Sequence, residues 1–357
     1  MVRDPKSGMM KILHVAPIIA DRSNGPTNSV PALANAIALG GHQVALLSCS
    51  PNQGLLKSLS PAVVDLPRPS SYHWNPWVIS SSWLDVIEKR FGIPDIVDFH
   101  SAYEPFQSAL AQRLLSRGWP YIVTPRGSFQ GLAQKQKPLK KIFGNMTFMD
   151  TYVKNALAIH ALTQEEASEI HAMFPRQKIF VCPNGVDPAL ADIPLHFRPL
   201  FCECRSDHAL VLGFLGRVDV WHKGIDVLLE ALIALQEKDA SLDVRLFIIG
   251  AFHTKKDEKV VADLHRRMRH PEWLLLCGAM TGEEKWRRLL GCDVFVHTSR
   301  FEGMPNAVLE AMALGKPCLV TPGTNMQSVI AQCNSGWNCD VNPESIMQAL
   351  YAIDRDR

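Results

Sequence analysis

The sequence lacks any apolar run long enough to cross a bilayer, which takes about 20 residues as a helix. Its first apolar stretch, residues 9–17, is short, contains His14 and has no small-residue cleavage pattern, so it does not indicate a signal peptide. The formal net charge of +2 leaves no basic excess of the kind that marks a nucleic-acid-binding protein. We therefore expect a cytoplasmic protein, a monomer or a weak homo-oligomer, that binds no nucleic acid.

The sequence also lacks the spacings that mark metal and dinucleotide sites. Its nine cysteines are scattered, and neither Cys202 with Cys204 nor Cys333 with Cys339 has further Cys or His partners at zinc-binding spacing. No Asp-x-Asp pair follows a predicted strand, and no Gly-x-Gly-x-x-Gly follows the first strand. These absences disfavour an NAD-dependent dehydrogenase, and they predict that the protein requires neither a metal nor a resident cofactor.

What the sequence does contain is a repeated alternation of short apolar strands and helical segments. Residues 11–17 and 210–216 are typical of buried strands, and each is followed by a turn and a helix-forming segment. This order predicts α/β domains with doubly wound parallel sheets. A length of 357 residues suits two domains of roughly 150 residues each. We place a first domain at residues 1–195, a second at 196–342, and a final helix at 343–357.

The most informative stretch is residues 298–317, TSRFEGMPNAVLEAMALGKP, which follows a predicted buried strand. Asn306 can cap a helix that runs to Leu314, and Gly315 and Pro317 end it. Parallel sheets bind ligands beyond the carboxyl ends of their strands, and a helix amino terminus at that edge suits a diphosphate. The loop before this helix is therefore a candidate ligand site.

Two glutamates, Glu302 and Glu310, flank that anion site. Carboxylates repel phosphate but accept hydrogen bonds well from vicinal hydroxyl groups, so a sugar and a ribose are the expected ligands. Taken alone, Glu310 could equally be a solvated first-turn carboxylate favoured by the helix dipole. The surrounding block favours the functional interpretation.

A second loop, residues 217–224, follows the strand predicted at 210–216. It carries Arg217 and Lys223 at the carboxyl end of that strand, so two cations can converge on one diphosphate. The positive end of the next helix dipole also attracts an anion. This disfavours the alternative that Arg217 and Lys223 are ordinary surface cations.

The block SRFEGMPNAVLEAMALGKP, with its Glu302-x7-Glu310 spacing, and the Gly-Arg…Lys-Gly pairing at 216–224 resemble the signatures of retaining glycosyltransferases of the GT-B fold, specifically the group-1 family. The resemblance implies two Rossmann-like domains facing across a cleft, with a nucleoside-diphosphate sugar on the second and the acceptor on the first. It also implies a final helix that crosses back to the first domain, and retention of configuration with the leaving phosphate as base.

The resemblance further implies roles for individual residues. Glu302 positions the donor sugar and Glu310 the ribose, while Arg217 and Lys223 stabilise the departing diphosphate. His100, at the end of a strand, lies near the reacting face, so that His100, Glu302, Arg217 and Lys223 form the predicted catalytic set. The other donor-binding positions are Gly25, Gly250, Ala279, Met280, Gly303, Met304, Pro305 and Asn306.

The predicted acceptor site lies in the first domain. Arg126 belongs to a Thr-Pro-Arg-Gly turn similar to that of family members that build bacterial surface polysaccharides, and it could bind an acceptor phosphate bidentately. The resemblance therefore implies a lipid-linked acceptor. Lysines within residues 135–141, interleaved with apolar residues up to 148, could rest on an anionic membrane as a peripheral contact, or form a helix with one solvated face.

Some features leave the function open. Residues 321–326 replace the family's more usual glycine-rich turn and following glutamate, which leaves the outer edge of the sugar pocket undefined. A nucleotide-sugar hydrolase or epimerase could use the same architecture, and so could a non-catalytic sugar-nucleotide-binding protein. The sequence identifies neither the base, the sugar nor the acceptor.

Overall fold

The computed structural model describes residues 8–18, 25–49, 59–60, 62–66, 79–135, 144–192, 208–238 and 242–356. The chain divides into two compact units, Met1–Asn184 and Gly185–Arg357. Each unit is built on one parallel sheet with helices, which confirms the predicted class of two doubly wound, Rossmann-like α/β domains. The boundary predicted after residue 195 falls outside the described residues and stays a prediction.

The first unit contains seven parallel strands in the order β3-β2-β1-β4-β5-β6-β7. The strands are β1 (Lys11–Ala16), β2 (Gln43–Ser48), β3 (Val63–Leu66), β4 (Ile96–His100), β5 (Tyr121–Thr124), β6 (Ala158–Ala161) and β7 (Ile179–Val181). The helices are α1 (Gly25–Leu39), α2 (Ser81–Arg90), α3 (Pro105–Ser116), α4 (Gly131–Lys135), α5 (Asp150–Lys154) and α6 (Gln164–Met173), with a π-helical turn at Asn145–Met149. The predicted membrane-facing lysines fall largely in 136–143, outside the described residues.

The second unit contains six parallel strands in the order β10-β9-β8-β11-β12-β13. The strands are β8 (Leu210–Leu215), β9 (Val244–Ile249), β10 (Leu274–Gly278), β11 (Val294–His297), β12 (Cys318–Val320) and β13 (Gly336–Asn338). The helices are α7 (Ile225–Lys238), α8 (Lys255–Arg267), α9 (Gly282–Leu290), α10 (Asn306–Ala313), α11 (Gln327–Gln332) and α12 (Pro343–Asp356), with 3-10 turns at Pro188–Asp192, Pro271–Trp273 and Pro322–Thr324.

The final helix, α12, packs within the second unit. Its apolar residues Ile346, Leu350 and Ile353 recur at helical spacing and join the buried core of the second sheet. Residues 343–356 belong to the second unit, whose core covers this apolar stripe. The expected return of this helix to the first domain stays a prediction.

Strand alternation divides each sheet into two faces. In the first unit Val97 and Phe99 of β4 point into the main core, whereas Asp98 and His100 lie on the opposite face. Both sheets reverse their strand order beside the first strand of the unit, between β1 and β4 and between β8 and β11. Ligands of open α/β sheets bind at such reversal points, so these two edges are the places to look for a site. None of the helices in the described ranges is long and apolar enough to cross a membrane.

Candidate functional site

Two loops that are distant in sequence meet at the carboxyl ends of β8 and β11. The Thr298 hydroxyl donates to the backbone carbonyl of Lys223 (3.1 Å) or of Gly224 (3.2 Å). Gly224 has φ +65°, and a Cβ there would lie 2.1 Å from the Thr298 carbonyl oxygen. Only glycine permits this approach. The structure thus joins the predicted diphosphate loop to the predicted sugar loop.

The centre of this edge is the Glu302 carboxylate. Its Oε1 atom contacts Lys223 Nζ and accepts a 2.9 Å hydrogen bond from the Ser299 hydroxyl. His297 Nε2 lies 3.5 Å from the same oxygen, and His222 Nε2 lies 3.7 Å from it. The other oxygen, Oε2, has no hydrogen-bond partner in the part of the chain that the structure describes. Glu302 is therefore held through one oxygen and can accept from a ligand through the other.

The charges around Glu302 fix its ionisation. Burial raises the pKa of this carboxyl, but Lys223, His222 and His297 outweigh burial and hold the pKa well below its ordinary value. Burial lowers the pKa of His297, although Glu302 opposes that shift. The site thus holds a carboxylate anion beside the buried His297 imidazole, whose Nε2 lies 3.5 Å from Glu302 Oε1.

Backbone contacts hold the Glu302 loop in place. His222 Nε2 donates to the Phe301 carbonyl at 2.8 Å, and the two rings stack with centroids 4.1 Å apart. On the other side, Asn325 Nδ2 donates to the carbonyls of Glu302 (2.9 Å) and Gly303 (3.1 Å). The divergent segment 321–326 therefore supports the loop through Asn325, which has a left-handed backbone at φ 56°. Neither support was predicted from the sequence, because each one joins segments far apart in the chain.

Arg217 lies at the start of the β8 loop. Its Nη2 atom lies 3.9 Å from Asp219 Oδ2, and its buried Nε atom has no hydrogen-bond partner among the described residues. Burial raises the pKa of Asp219, but His222 and then Arg217 outweigh it and lower the value to about 2. Arg217 therefore retains donor capacity for an anion. The end of β9 packs tightly beside this loop, since a Cβ on Gly250 would lie 1.8 Å from the Gly216 carbonyl oxygen.

Helix α10 begins one residue earlier than predicted. Pro305 occupies the N-cap position without a side-chain cap, and Asn306 is the first helical residue, so Asn306 is not the N-cap. Proline suits this position because a helix amino terminus needs no N–H from its first residues. Gly303, Met304 and Pro305 are buried under this helix start.

Glu310 is paired in a way that the sequence did not reveal. Lys285 Nζ of α9 lies 3.1 Å from Glu310 Oε2 and 3.5 Å from the centre of the Trp286 ring. Burial lowers the pKa of Lys285, and Glu310 opposes that shift. Glu310 Oε1 has no hydrogen-bond partner in the described ranges. Like Glu302, this carboxylate is held through one oxygen and presents the other.

The remaining predicted donor positions stand at strand and helix ends. Ala279 and Met280 directly follow β10, the edge strand, and Gly25 is the first residue of α1. The loop that precedes Gly25, residues 19–24, lies outside the described residues.

In the first unit, His100 is 0% exposed and belongs to a buried polar row on one sheet face, defined as His14, Asp98, His100, Thr124 and His160. His100 Nε2 lies 2.9 Å from His14 Nδ1 and 3.2 Å from Asp98 Oδ2. The Thr124 hydroxyl donates to Asp98 Oδ1 at 2.7 Å. Burial lowers the pKa of His100, so this ring is neutral.

The far end of the polar row is His160. Its Nε2 lies 2.8 Å from the Cys182 carbonyl, and its Nδ1 lies 3.2 Å from Thr124 Oγ1. Because a hydroxyl has one proton and Thr124 is closer to Asp98, Thr124 donates to Asp98 and accepts from His160.

Arg126 connects the polar row to the carboxyl edge of the first sheet. Its Nε donates to His100 Nδ1 at 3.2 Å, and its Nη1 donates to Ser29 Oγ (3.1 Å) and Asn184 Oδ1 (3.3 Å). The structure therefore brings the two predicted first-domain residues, His100 and Arg126, into direct contact. Asp98, His14 and Ser29 were not predicted, since only the sheet register and the α1 packing place them there.

The atoms of His14, Asp98 and His100 are also close enough to ligate one metal ion. Their separations of 2.9, 3.2 and 3.4 Å are comparable with those between zinc ligands. However, His100 accepts from Arg126 at Nδ1, so its proton resides on Nε2, the nitrogen that would have to bind the metal. The hydrogen-bonded arrangement therefore fits this cluster better than a metal does.

Glycosyltransferase family models match both units of the chain. The model described as Glycosyltransferase Family 4 matches residues 23–190, and the model described as Glycosyl transferases group 1 matches residues 209–356. An uncharacterized glycosyltransferase of Methanocaldococcus jannaschii is 24% identical over 90% of this chain and 82% of its own length. The UDP-Gal:alpha-D-GlcNAc-diphosphoundecaprenol alpha-1,3-galactosyltransferase of Escherichia coli is 28% identical over 74% of this chain and 67% of its own length.

Solved structures agree on the fold. Sucrose-phosphate synthase from Thermosynechococcus elongatus matches with a TM-score of 0.73, covering 97% of this chain and 90% of that one at 15% identity. Structural neighbours of this kind are GT-B glycosyltransferases, so the predicted GT-B fold is confirmed. Together with the family models, the comparisons support glycosyltransferase activity for this chain.

Proposed function

We propose that this chain, matched in both units by glycosyltransferase families, transfers a sugar from a nucleoside-diphosphate sugar to a hydroxyl acceptor with retention of configuration. The observation that carries the proposal is the Glu302 carboxylate, ionised and fixed through Oε1 by Lys223 and Ser299, with Oε2 left to accept from a sugar hydroxyl. A hydroxyl-binding carboxylate beside a lysine, at a sheet reversal point, suits a ligand that combines hydroxyls with phosphates.

Departure of the diphosphate builds negative charge on its β-phosphate. Arg217, with a buried Nε that has no protein partner among the described residues, and Lys223 would stabilise that charge, together with the amino terminus of α10. Lys223 also contacts Glu302. Donor binding would make this lysine share its charge between the carboxylate and the phosphate.

Retention is proposed from the resemblance of residues 299–317 to retaining glycosyltransferases, and no carboxylate is clearly placed to act as a covalent nucleophile. Glu302 is assigned to a sugar hydroxyl, so we propose same-face attack by the acceptor, with the leaving phosphate as base. Glu310 Oε1 would bind the ribose, and Gly250, Ala279 and Met280 would lie near the base. No step of this mechanism requires a metal ion.

The acceptor would bind on the first unit. Arg126 would hold an acceptor phosphate, and a lipid-linked acceptor is supported by the name of the Escherichia coli relative, which acts on a diphosphoundecaprenol-linked sugar. The same name makes a UDP-sugar the first donor to test. His100 is buried, so its proposed place near the reacting face requires that a substrate reach it through Arg126 or displace its neighbours.

The experiment that tests this function is a screen of thermal stability and slow hydrolysis against UDP-, GDP- and ADP-sugars, with and without EDTA. We expect one diphosphate sugar to raise the melting temperature saturably and to be hydrolysed slowly at a rate that EDTA does not change. CMP-linked sugars serve as the control, because they carry a single phosphate. Stabilisation by NAD or by a divalent metal alone would contradict the proposal.

A second candidate, a nucleotide-sugar hydrolase or epimerase, predicts fast donor consumption without an acceptor. NMR of the anomeric proton separates the two, since a transferase gives a product glycoside with the donor's configuration only when a lipid-linked or analogue acceptor is present. A non-catalytic binding protein would be stabilised by the donor but would turn nothing over.

A further inference from the structure

We propose that Asp98 is a positioning residue for Arg126. Through the polar row it fixes the ring tautomer of His100, and that tautomer holds the Arg126 guanidinium at the carboxyl edge of the first sheet. The role of Arg126 toward an acceptor phosphate rests on the proposed function, whereas the positioning itself does not.

The tautomer of His100 follows from the chemistry of Arg126. A guanidinium only donates, so the 3.2 Å contact from Arg126 Nε requires that His100 Nδ1 accept. A neutral imidazole that accepts at Nδ1 carries its proton on Nε2. His100 must therefore donate from Nε2, the ring nitrogen that faces into the polar row.

Asp98 supplies the acceptor for that proton. Asp98 Oδ2 lies 3.2 Å from His100 Nε2, and the proton is shared with His14 Nδ1 at 2.9 Å. Thr124 donates to the second carboxylate oxygen, and this hydrogen bond holds the Asp98 side chain in its orientation. Burial raises the pKa of Asp98, but His100, His14 and Thr124 outweigh burial and lower it, which keeps Asp98 an acceptor. A carboxylate behind a histidine commonly sets its tautomer and orientation in this way.

The other end of Arg126 is fixed as well. Its Nη1 donates to Ser29 and Asn184, and its backbone adopts φ 52°. Glu166 accepts from the next backbone amide, Gly127 N, at 2.6 Å, which holds the turn. Arg126 Nη2 has no hydrogen-bond partner in the described part of the chain. This nitrogen is therefore the one presented to an anionic ligand such as a phosphate monoester or diester.

Nitrogen-15 NMR of histidine-labelled full-length protein tests the positioning directly. Wild-type His100 should show a protonated Nε2 and an unprotonated Nδ1. In Asp98→Asn the amide can donate to Nε2, so we expect the proton to move to Nδ1 and the Arg126 Nε–H signal to shift. Asp95→Asn is the matched control: Asp95 accepts from Lys11 N at 2.7 Å at the opposite end of the same strand pair, and it should leave both signals unchanged.

Three results would overturn the proposal. The first is a wild-type His100 with its proton on Nδ1, which needs no variant to observe. The second is an Asp98→Asn protein whose His100 and Arg126 signals match wild type. The third is a shift of the His14 and His100 signals together on adding zinc chloride, which would identify a metal ligand set. If Asp98→Asn does not fold, Thr124→Val removes the hydroxyl that holds Asp98 and should broaden or shift the His100 signals.

The kinetic readout separates this proposal from the proposed function. With an active donor and a phosphate-bearing acceptor, Asp98→Asn should raise the acceptor KM about tenfold, the loss expected for a charge-assisted hydrogen bond, and change the donor KM less than about twofold. If no donor is turned over, the proposed function fails while the NMR result still decides the positioning. If turnover occurs and both KM values rise equally, the positioning role fails.

Discussion

The first six strands of the first sheet follow the same order as the six strands of the second, yet the two sheets have different side chains at their reversal-point edges. In the first unit the polar groups, Asp98 and His100 among them, stand on the strands themselves and are buried. In the second unit Lys223 and Glu302 stand on loops, with side chains 14% and 15% exposed. A side chain on one of these buried strands is held rigidly but is inaccessible to a ligand. A side chain on one of these loops is partly exposed and can contact a ligand.

This difference in burial explains why the two edges differ in the charged groups that they carry. Burial favours the neutral form of a histidine over its protonated form. The first edge is therefore a hydrogen-bonded polar row in which His100 is neutral and accepts from the Arg126 guanidinium. The second edge keeps charged groups in contact and can rearrange them around a ligand. We therefore expect substitutions at the second edge to act mainly on catalysis, and those at the first edge to act on positioning and stability.

The largest effect should come from Glu302→Gln. It removes the anion that pairs with Lys223 and faces His297, and it weakens the proposed hydroxyl acceptor. We expect kcat/KM for the donor to fall about 100-fold, near 2.7 kcal/mol. Glu310→Gln is the matched control, because Glu310 is held by Lys285 and would bind only the ribose; it should raise the donor KM by about tenfold or less with kcat preserved. Equal losses in both variants would contradict the assignment.

Arg217→Ala should cause the second-largest loss of activity. Losing one charged contact to the leaving diphosphate costs about 1.5–3 kcal/mol, a rate loss of at least about tenfold. Arg266→Ala is a fitting control, because Arg266 is exposed on α8 and its one ion pair among the described residues is with Asp263, one turn away. Steady-state kinetics with the donor found in the screen would measure this rate loss. An Arg217→Ala enzyme as active as wild type would remove the diphosphate assignment.

The smallest predicted effect is on the free energy of unfolding. It involves one buried histidine from each edge. Burial lowers the pKa of both His100 and His297, so below pH about 6.5 the unfolded chain binds protons that the folded chain does not. Stability should therefore decrease as pH falls below about 6.5, by up to about 1.4 kcal/mol per pH unit for each histidine. The lowered pKa values of Asp98 and Glu302 add their losses only below about pH 4.5.

Denaturant unfolding at pH 7.5 and 5.5 tests this effect. His297→Phe keeps the ring stack with Phe214, whose centroid lies 5.5 Å away, and removes one titrating group. We expect the variant to lose about half of the pH dependence between these two values. An unchanged slope would mean that His297 takes up a proton in the folded state.

The sequence by itself determined the local features of this protein. Strand and helix patterns predicted two doubly wound sheets, and loops that directly follow strands placed Arg217, Lys223 and Glu302 at carboxyl ends, because these properties depend on near neighbours in the chain. Glu302 and Glu310 likewise belong to one continuous segment, a loop followed by helix α10. The boundary at residue 195 and the roles of the site residues stay predictions.

Only the tertiary structure decided which distant residues meet. Sheet register aligns His14 with Asp98 and His100 with Thr124, which turns isolated polar residues on separate strands into one row. Helix packing brings Lys285 to Glu310 and places the apolar side of α12 in the second core. Such contacts depend on strand order and side-chain direction, which alternate along a strand and cannot be read from spacing within one segment.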